Sequence, residues 1–429
     1  MKKLLALLLA LILVSALAPA AMADDVVEIE FWCSWEDAWR SALEELVHQF
    51  EADNPGVKVN FVYAGSYNES NQKLLAAHAA ALQGAGTVPT VQQTVGTNIM
   101  TFAENEVIYP LDEYIAANGD DISVFAEGML AAYQYGGKQY GLPGCISLVP
   151  TWFYNKTIMA EEGIELPTTW EEFDAFLRKA TKKDEAGNTI RYGAEFSGWG
   201  IDYVNPMMRQ FGVEFFLDDA MTESGFDSEE TRAFANQFQA WSKEGLIKWC
   251  YGSGASGNMR QAFLDGNTVA VFHTCALYDL YNSNFKEKGW ELGVNFPPAG
   301  VNSIAGLGGS GFTLMAQASP EQREYGYKLI RFLTDTACNM IIIQNTGYLP
   351  VTTTCVNSPE CAAWLEGNPE LIHLYEHLDE LAASPSSPAW SDIGTKIVDN
   401  LARIIVDGED VEATVQFMCD EIAEILEDM

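Results

Sequence analysis

Cations are scarce in this chain. Its 24 Lys and Arg stand against 60 Asp and Glu, a formal net charge of −36 at pH 7. Such an excess argues against nucleic acid and anionic membrane surfaces as partners, because both repel it. The acidic residues are scattered, in runs no longer than pairs such as Glu229-Glu230. They read as a solvated surface that keeps an exported chain in solution. Histidine is scarcer still, at 5. His373 and His377 share a helical spacing but have no third ligand in view, so no metal site is expected. GxSxG, Walker and HExxH motifs are all missing. The 8 cysteines form no CxxC and are too thinly spread for a disulfide scaffold. Export would permit pairing, and Cys355 with Cys361 is the close pair. Buried thiols are the expected state. Long apolar runs are missing too: the longest, Leu4 to Leu17, falls short of the roughly 20 residues that span a bilayer.

That run has a different meaning. Lys2 and Lys3 precede it, and Ala21-Met22-Ala23 follows, with small residues at the −3 and −1 positions of a cleavage site. Residues 1–23 read as a secretory signal peptide, with no cysteine nearby for an acyl anchor. The expected product starts near Asp24 and is exported, soluble and monomeric, in a periplasm or the extracellular space. A chain of 429 residues exceeds one ordinary core and predicts two or three domains.

The pattern predicts strand over 27–32, helix over 39–51, strand over 57–63, helix over 68–82 and strand over 89–94. This alternation specifies a mostly parallel sheet covered by helices. Residues 139–154 read as extended. Helices are predicted from Trp170, over 229–244, 258–264 and 320–334, and through the tail from Glu370. Thr168 or Thr169 caps the helix that Trp170 opens. Pro385-Ser-Ser-Pro388 is the most loop-like stretch.

Aromatics are abundant, with 11 Trp and 17 Tyr. Trp35, Tyr67, Trp199, Tyr203, Tyr348 and Trp390 sit beside Gly, Ser or Pro, where core packing alone does not call for them. An aromatic face stacks on the CH face of a sugar ring while polar neighbours bind its hydroxyls. Glycines in Gly306-Leu-Gly-Gly-Ser-Gly311 lack phosphate-loop spacing and a following Lys, and mark close backbone approach instead.

Several passages carry a resemblance. They are IEFWCSW at 29–35, FEADNPGVKVNF at 50–61, AGSY at 64–67, YGLPGCISLVPTWFYNK at 140–156 and LPTTWEEF at 166–173. AFLDGNTVAVF at 262–272, LGGSGF at 307–312 and TGYLPVT at 346–352 complete the series. In this order the chain resembles the family 1 extracellular solute-binding proteins, the group of maltose-binding protein, and within it the glycerol-3-phosphate-binding branch. The resemblance implies an α/β, two-lobed, hinged fold of the type II periplasmic-binding class with ligand in the cleft between lobes. The implied lobes are 24–145 plus 305–349, and 146–304 plus 350–429, with crossings near 143–149, 304–308 and 348–351. It implies ligand contacts from Ser34, Trp35, Glu36, Tyr67, Thr94, Ser147, Trp199, Thr274, Gly308, Gly309, Ser310 and Tyr348. No catalytic residue, metal or cofactor is implied, and the partners are a small solute and the permease subunits of an ABC importer. The branch carries a Glu where this chain offers Thr94, and a phosphate-binding Arg where Thr395 aligns; Lys396 and Arg209 are the nearest substitutes. The expected ligand is therefore a neutral sugar or oligosaccharide, with glycerol-3-phosphate or a glycerophosphodiester as the alternative. A secreted glycan hydrolase is the rival of another class.

Overall fold

The structure, a computed structural model, describes residues 26–35, 37–218, 220–385 and 387–427. The expected signal peptide and the candidate Glu36 lie outside the described residues.

The first expected strand, helix and strand form as β1 (Val27–Cys33), α1 (Asp37–Asp53) and β2 (Val57–Tyr63), followed by α2 (Tyr67–Leu82) and β3 (Val91–Thr94). Leu43, Leu46, Val47 and Phe50 recur at helical spacing on α1 and are buried against the sheet. Asn54-Pro55-Gly56 ends that helix, since proline cannot continue it. Ser66 and Glu69 make a reciprocal capping box at the start of α2. Strands β1, β2 and β3 run parallel, in the order β3–β1–β2.

The expected extended passage resolves into β4 (Gly141–Val149) and β5 (Thr151–Asn155). They belong to different sheets. β4 pairs antiparallel with a long later strand, β10 (Ala305–Met315), which itself joins β3 in the first sheet. β5 starts the second sheet with β6 (Thr189–Ser197), β7 (Ile247–Cys250), β8 (Thr268–His273) and β9 (Leu292–Asn295), in the order β7–β6–β8–β5–β9. Here β7, β6 and β8 are parallel, and β5 runs antiparallel to both its neighbours, β8 and β9. The chain thus passes between sheets at Pro150 and again between Asn295 and Ala305.

After Tyr348 the chain keeps contact with both sheets. Leu349 bridges to Ile146, and the short strand β11 (Leu381–Ala382) pairs with β10 of the first sheet. Between these, Pro369–Tyr375 packs on β9 of the second sheet, and from Trp390 the chain stays on the second core, through α8 (Trp390–Ile405) and α9 (Val411–Glu427). The intervening helices pack on α7 (Thr336–Thr346), where Cys355 and Cys361 meet Met340 and Ile343. All 8 cysteines are buried and unpaired.

The second core is built on aromatics. α3 (Trp170–Ala180) is capped by Thr169 and lays Trp170, Phe173, Phe176 and Leu177 on the sheet. Phe196 and Phe272 stack at 4.4 Å, and Trp152 stacks on Phe272 at 5.7 Å. Trp170 satisfies its indole N–H on Gln210 at 2.7 Å, as a buried Trp requires. Two rigid sheets, each with its own face of packed side chains, flank a common cleft.

Candidate functional site

A cavity of about 710 Å³ lies between the two sheets. Its position follows from strand direction. In a parallel sheet, strand ends on one edge release loops and helix starts into a shared crevice. β3 ends at Thr94, and Val95–Met100 line the cavity; β6 ends at Ser197, and Trp199–Tyr203 line it. β7 delivers Tyr251 and Gly252, and β8 delivers Thr274.

The floor is the pairing of β4 with β10. Ser147 from β4 and Gly308 and Gly309 from β10 reach the cavity. Gly309 has φ +83°, and a Cβ there would sit 2.0 Å from the Cys145 carbonyl oxygen and 3.0 Å from the Tyr348 ring. Only glycine allows both the backbone turn and the aromatic lid over it. The pairing shifts register between Ser310 and Gly311, which is where the strand bends away from the cleft.

The first-lobe wall is a closed network. Trp35 stacks on Tyr348 with ring centroids 5.0 Å apart, and Trp39 meets both edge-on at 6.0 and 5.8 Å. The Trp35 indole N–H donates to the Tyr67 hydroxyl at 2.9 Å, and that hydroxyl donates to Ser310 Oγ at 3.2 Å. Burial pushes the phenols of Tyr67 and Tyr348 well above their ordinary range, so both stay neutral.

The second-lobe wall is open by comparison. Trp199 and Tyr203 stand 5.5 Å apart edge-on, backed by His273 at 5.3 and 5.9 Å. His273 Nδ1 accepts the Thr274 backbone N–H at 2.8 Å, which leaves Nε2 to donate to Ser256 Oγ at 3.1 Å. Desolvation, with Arg260 nearby, holds its pKa down to about 3. Asp202 accepts one hydrogen bond, from Ser384 Oγ at 3.1 Å, and desolvation raises its carboxyl above the usual range. Asp399 accepts from the Tyr251 hydroxyl at 2.6 Å. Trp390 is buried on this wall with its indole N–H unpartnered.

The structure divides the expected contacts into two groups. Tyr67, Ser147, Trp199, Thr274, Gly308, Gly309 and Tyr348 line the cavity. Trp35, Thr94, Ser310 and Ser34 do not. Trp35 is 2 % exposed because Tyr348 and Tyr67 cover it. Thr94 is turned into the sheet, 2.7 Å from the Thr313 hydroxyl, and Ser310 lies under Tyr67. Ser34 is tied through its backbone N–H to Gln93. Neither substitute cation reaches the site: Lys396 turns to Glu421 at 2.6 Å, and Arg209 is not on the cavity wall. Among the described residues that line the cavity there is no Lys or Arg, and Asp202 and Asp399 are the charged ones. His373 and His377 do not converge; each faces its own carboxylate, Glu376 and Glu380.

Sequence reasoning missed Asp202, Ser384 and the neighbours of Thr395 on the α8 face, Ser391 and Asp399. A signal was present. Once Thr395 is aligned near a ligand, residues four before and four after it share its helix face.

A hinged pair of α/β lobes with an aromatic, hydroxyl-lined cleft defines a protein that encloses a small polar solute. Comparison with known proteins agrees. The sequence profile of the bacterial extracellular solute-binding proteins matches residues 45–369, and the chain belongs to that family. A putative binding protein of Brucella abortus is 26 % identical over 375 residues, covering 86 % of this chain and 85 % of that protein. The sn-glycerol-3-phosphate-binding periplasmic protein of Pectobacterium atrosepticum is 24 % identical, covering 82 % of this chain and 79 % of its own. In fold, the sugar-binding protein MalE from Xanthomonas citri matches with a TM-score of 0.80 at 19 % identity, over 94 % of this chain and 98 % of its own. UgpB from Mycobacterium tuberculosis, solved in complex with glycerophosphocholine, matches at 0.79 and 21 %, over 94 % and 99 %. The protein is an extracellular solute-binding protein. Among the described residues no helix is long and apolar enough to cross a membrane.

Proposed function

We propose that the cleft captures a sugar or oligosaccharide, not a phosphate ester, and holds it by lobe closure without chemical change. The observation that carries this reading is a cavity of about 710 Å³ with aromatic and hydroxyl side chains on both walls and no described Lys or Arg among its lining. A phosphate leaves water only for charge-assisted donors. A sugar ring needs flat apolar faces flanked by neutral hydrogen-bonding groups. In this reading Trp199, Tyr67 and Tyr348 supply ring faces, and Ser147, Thr274 and the amides of Gly308 and Gly309 meet hydroxyls. Trp35, Thr94 and Ser310 act from behind. The named relatives are binding proteins, which supports capture over hydrolysis.

Isothermal titration calorimetry with neutral mono- and oligosaccharides, beside glycerol-3-phosphate and glycerophosphocholine, tests this. Sugars should bind more tightly than either phosphate compound and be recovered unchanged. Scattering at saturation should show a smaller radius of gyration. Micromolar binding of glycerol-3-phosphate with no response to any sugar would overturn the reading.

A further inference from the structure

An acidic residue in the first turn of a helix needs no ligand to explain it, because the helix dipole favours it. Asp202 opens α4 (Ile201–Gln210) and fits that description. Three further observations do not. First, Asp202 lines the cavity, and among the described residues its carboxylate has no cationic partner and one hydrogen bond, from Ser384. A carboxylate withdrawn from water normally takes several donors or a countercharge.

Second, the same network contains an unused acceptor. Asn205 is 3 % exposed; its Nδ2 donates to Ser384 Oγ at 3.4 Å, and its Oδ1 has no partner. Ser384 thus links one carboxylate and one free carbonyl, both asking for N–H or O–H donors. Third, Trp199 and Tyr203 flank Asp202 in sequence and line the same wall. An aromatic face beside a carboxylate suits a cation.

We infer that the Asp202–Ser384 corner, backed by Asn205, is a subsite for a protonated amine on the ligand, and that the transported solute is an amino sugar or an oligosaccharide containing one. The inference rests on the sugar reading above and sharpens it. Trp390 decides between an amino sugar and a simple amine. Its unpartnered indole N–H, on the same wall, asks for an acceptor. A ligand carrying both an ammonium and hydroxyl or ether oxygens meets Asp202 and Trp390 together; an alkylamine leaves Trp390 unmet.

Calorimetry with glucosamine and β-1,4-linked glucosamine oligomers, at a pH that protonates their amines, tests the subsite. The controls are the N-acetylated forms and glucose oligomers of the same linkage and length, which differ only at one ring position. The amines should bind at least tenfold more tightly than both controls. Asp202→Asn should abolish that preference. The variant should fold, since the substitution removes an undercompensated charge, and its unliganded thermal midpoint should equal or exceed that of the parent. Controls that bind as tightly as the amines, or an amine preference that survives in Asp202→Asn, would overturn this inference and leave the sugar reading standing. No binding of any sugar, with glycerol-3-phosphate bound, would overturn both.

Discussion

The two walls of the cleft solve the same problem in opposite ways. On the first-lobe wall the central pair of the aromatic cluster is already joined: Trp35 donates to Tyr67, and Tyr67 to Ser310. On the second-lobe wall, among the described residues, the Trp390 N–H has no partner and Asp202 has one. A satisfied network is rigid and costs nothing to hold before ligand arrives. An unsatisfied one is destabilising until a ligand completes it. The first wall therefore acts as a preformed platform, and the second as the surface whose demands select the solute. Closure brings the selective surface onto the platform.

The sharpest way to break this comparison is to remove the support of the platform. Trp35→Ala deletes a side chain 2 % exposed, its stack on Tyr348 and its bond to Tyr67. Urea unfolding should show a loss of about 3–5 kcal/mol, the range for a large aromatic removed from a core. Affinity should fall with it, since Tyr67 and Tyr348 lose their backing. Lost affinity at unchanged stability would make Trp35 a ligand face instead of a support.

Acid should strain the second wall and spare the first. His273, behind Trp199 and Tyr203, is neutral when folded, with its pKa held down to about 3 against an ordinary 6.5. Below pH 6.5 the unfolded chain takes up a proton that the native chain refuses, so stability falls with pH. The slope approaches ~1.4 kcal/mol per pH unit, giving about 2–3 kcal/mol between pH 6.5 and 4.5, before most carboxylates titrate. His273→Gln should flatten that limb in pH-dependent urea titrations. A parent protein equally stable at both ends of the window would show that His273 is not held neutral.

Much of the architecture was legible. The β1–α1–β2 unit declares itself because alternation in VEIEFW and helical spacing from Leu43 to Phe50 are local patterns. The passage between sheets at Pro150 shows in the sequence as an extended run holding prolines. The contact of β11 with β10 was not legible, because β11 is only two residues long, Leu381–Ala382, and its pairing is set by tertiary packing. The same limit applies at the site. An aromatic beside glycine announces itself, as Trp199 does. Whether it faces the cleft or lies one layer beneath, as Trp35 does, depends on neighbours far along the chain. Asp202 is one carboxylate among 60 acidic residues, and its missing countercharge exists only in three dimensions.

Trp199 provides the counterpart to Trp35. It is half-buried on the open wall and touches Tyr203 edge-on and His273 at a tilt, without the stacked support that Trp35 gives Tyr348. Trp199→Ala should weaken binding by about 1–3 kcal/mol, as for a lost aromatic anchor. Unfolding free energy should change by less than the Trp35 variant's, by roughly 1 kcal/mol. If the two variants lose stability equally, the walls do not differ as described.

The smallest effect should come from Ser310, which is fully buried beneath Tyr67. Its Oγ, fully buried, accepts the Tyr67 hydroxyl proton at 3.2 Å. Ser310→Ala removes that acceptor but leaves the Trp35 donor, so the Tyr67 ring keeps its place while its O–H loses its direction. A neutral buried hydrogen bond contributes about 0.5–1.5 kcal/mol, and the stability loss should fall in that range. The effect on binding discriminates more finely. With Ser310 present, Tyr67 donates inward and offers the cleft only an oxygen lone pair. With alanine, the hydroxyl is free to turn and donate to a ligand. Affinity for a ligand that presents a hydroxyl proton to Tyr67 should fall a few-fold, and affinity for one that presents an oxygen should hold or rise. Calorimetry on a sugar and its deoxy or methylated analogues reads this directly. An identical ratio of affinities in parent and variant would mean that the platform supports the ring of Tyr67 without fixing the direction of its proton.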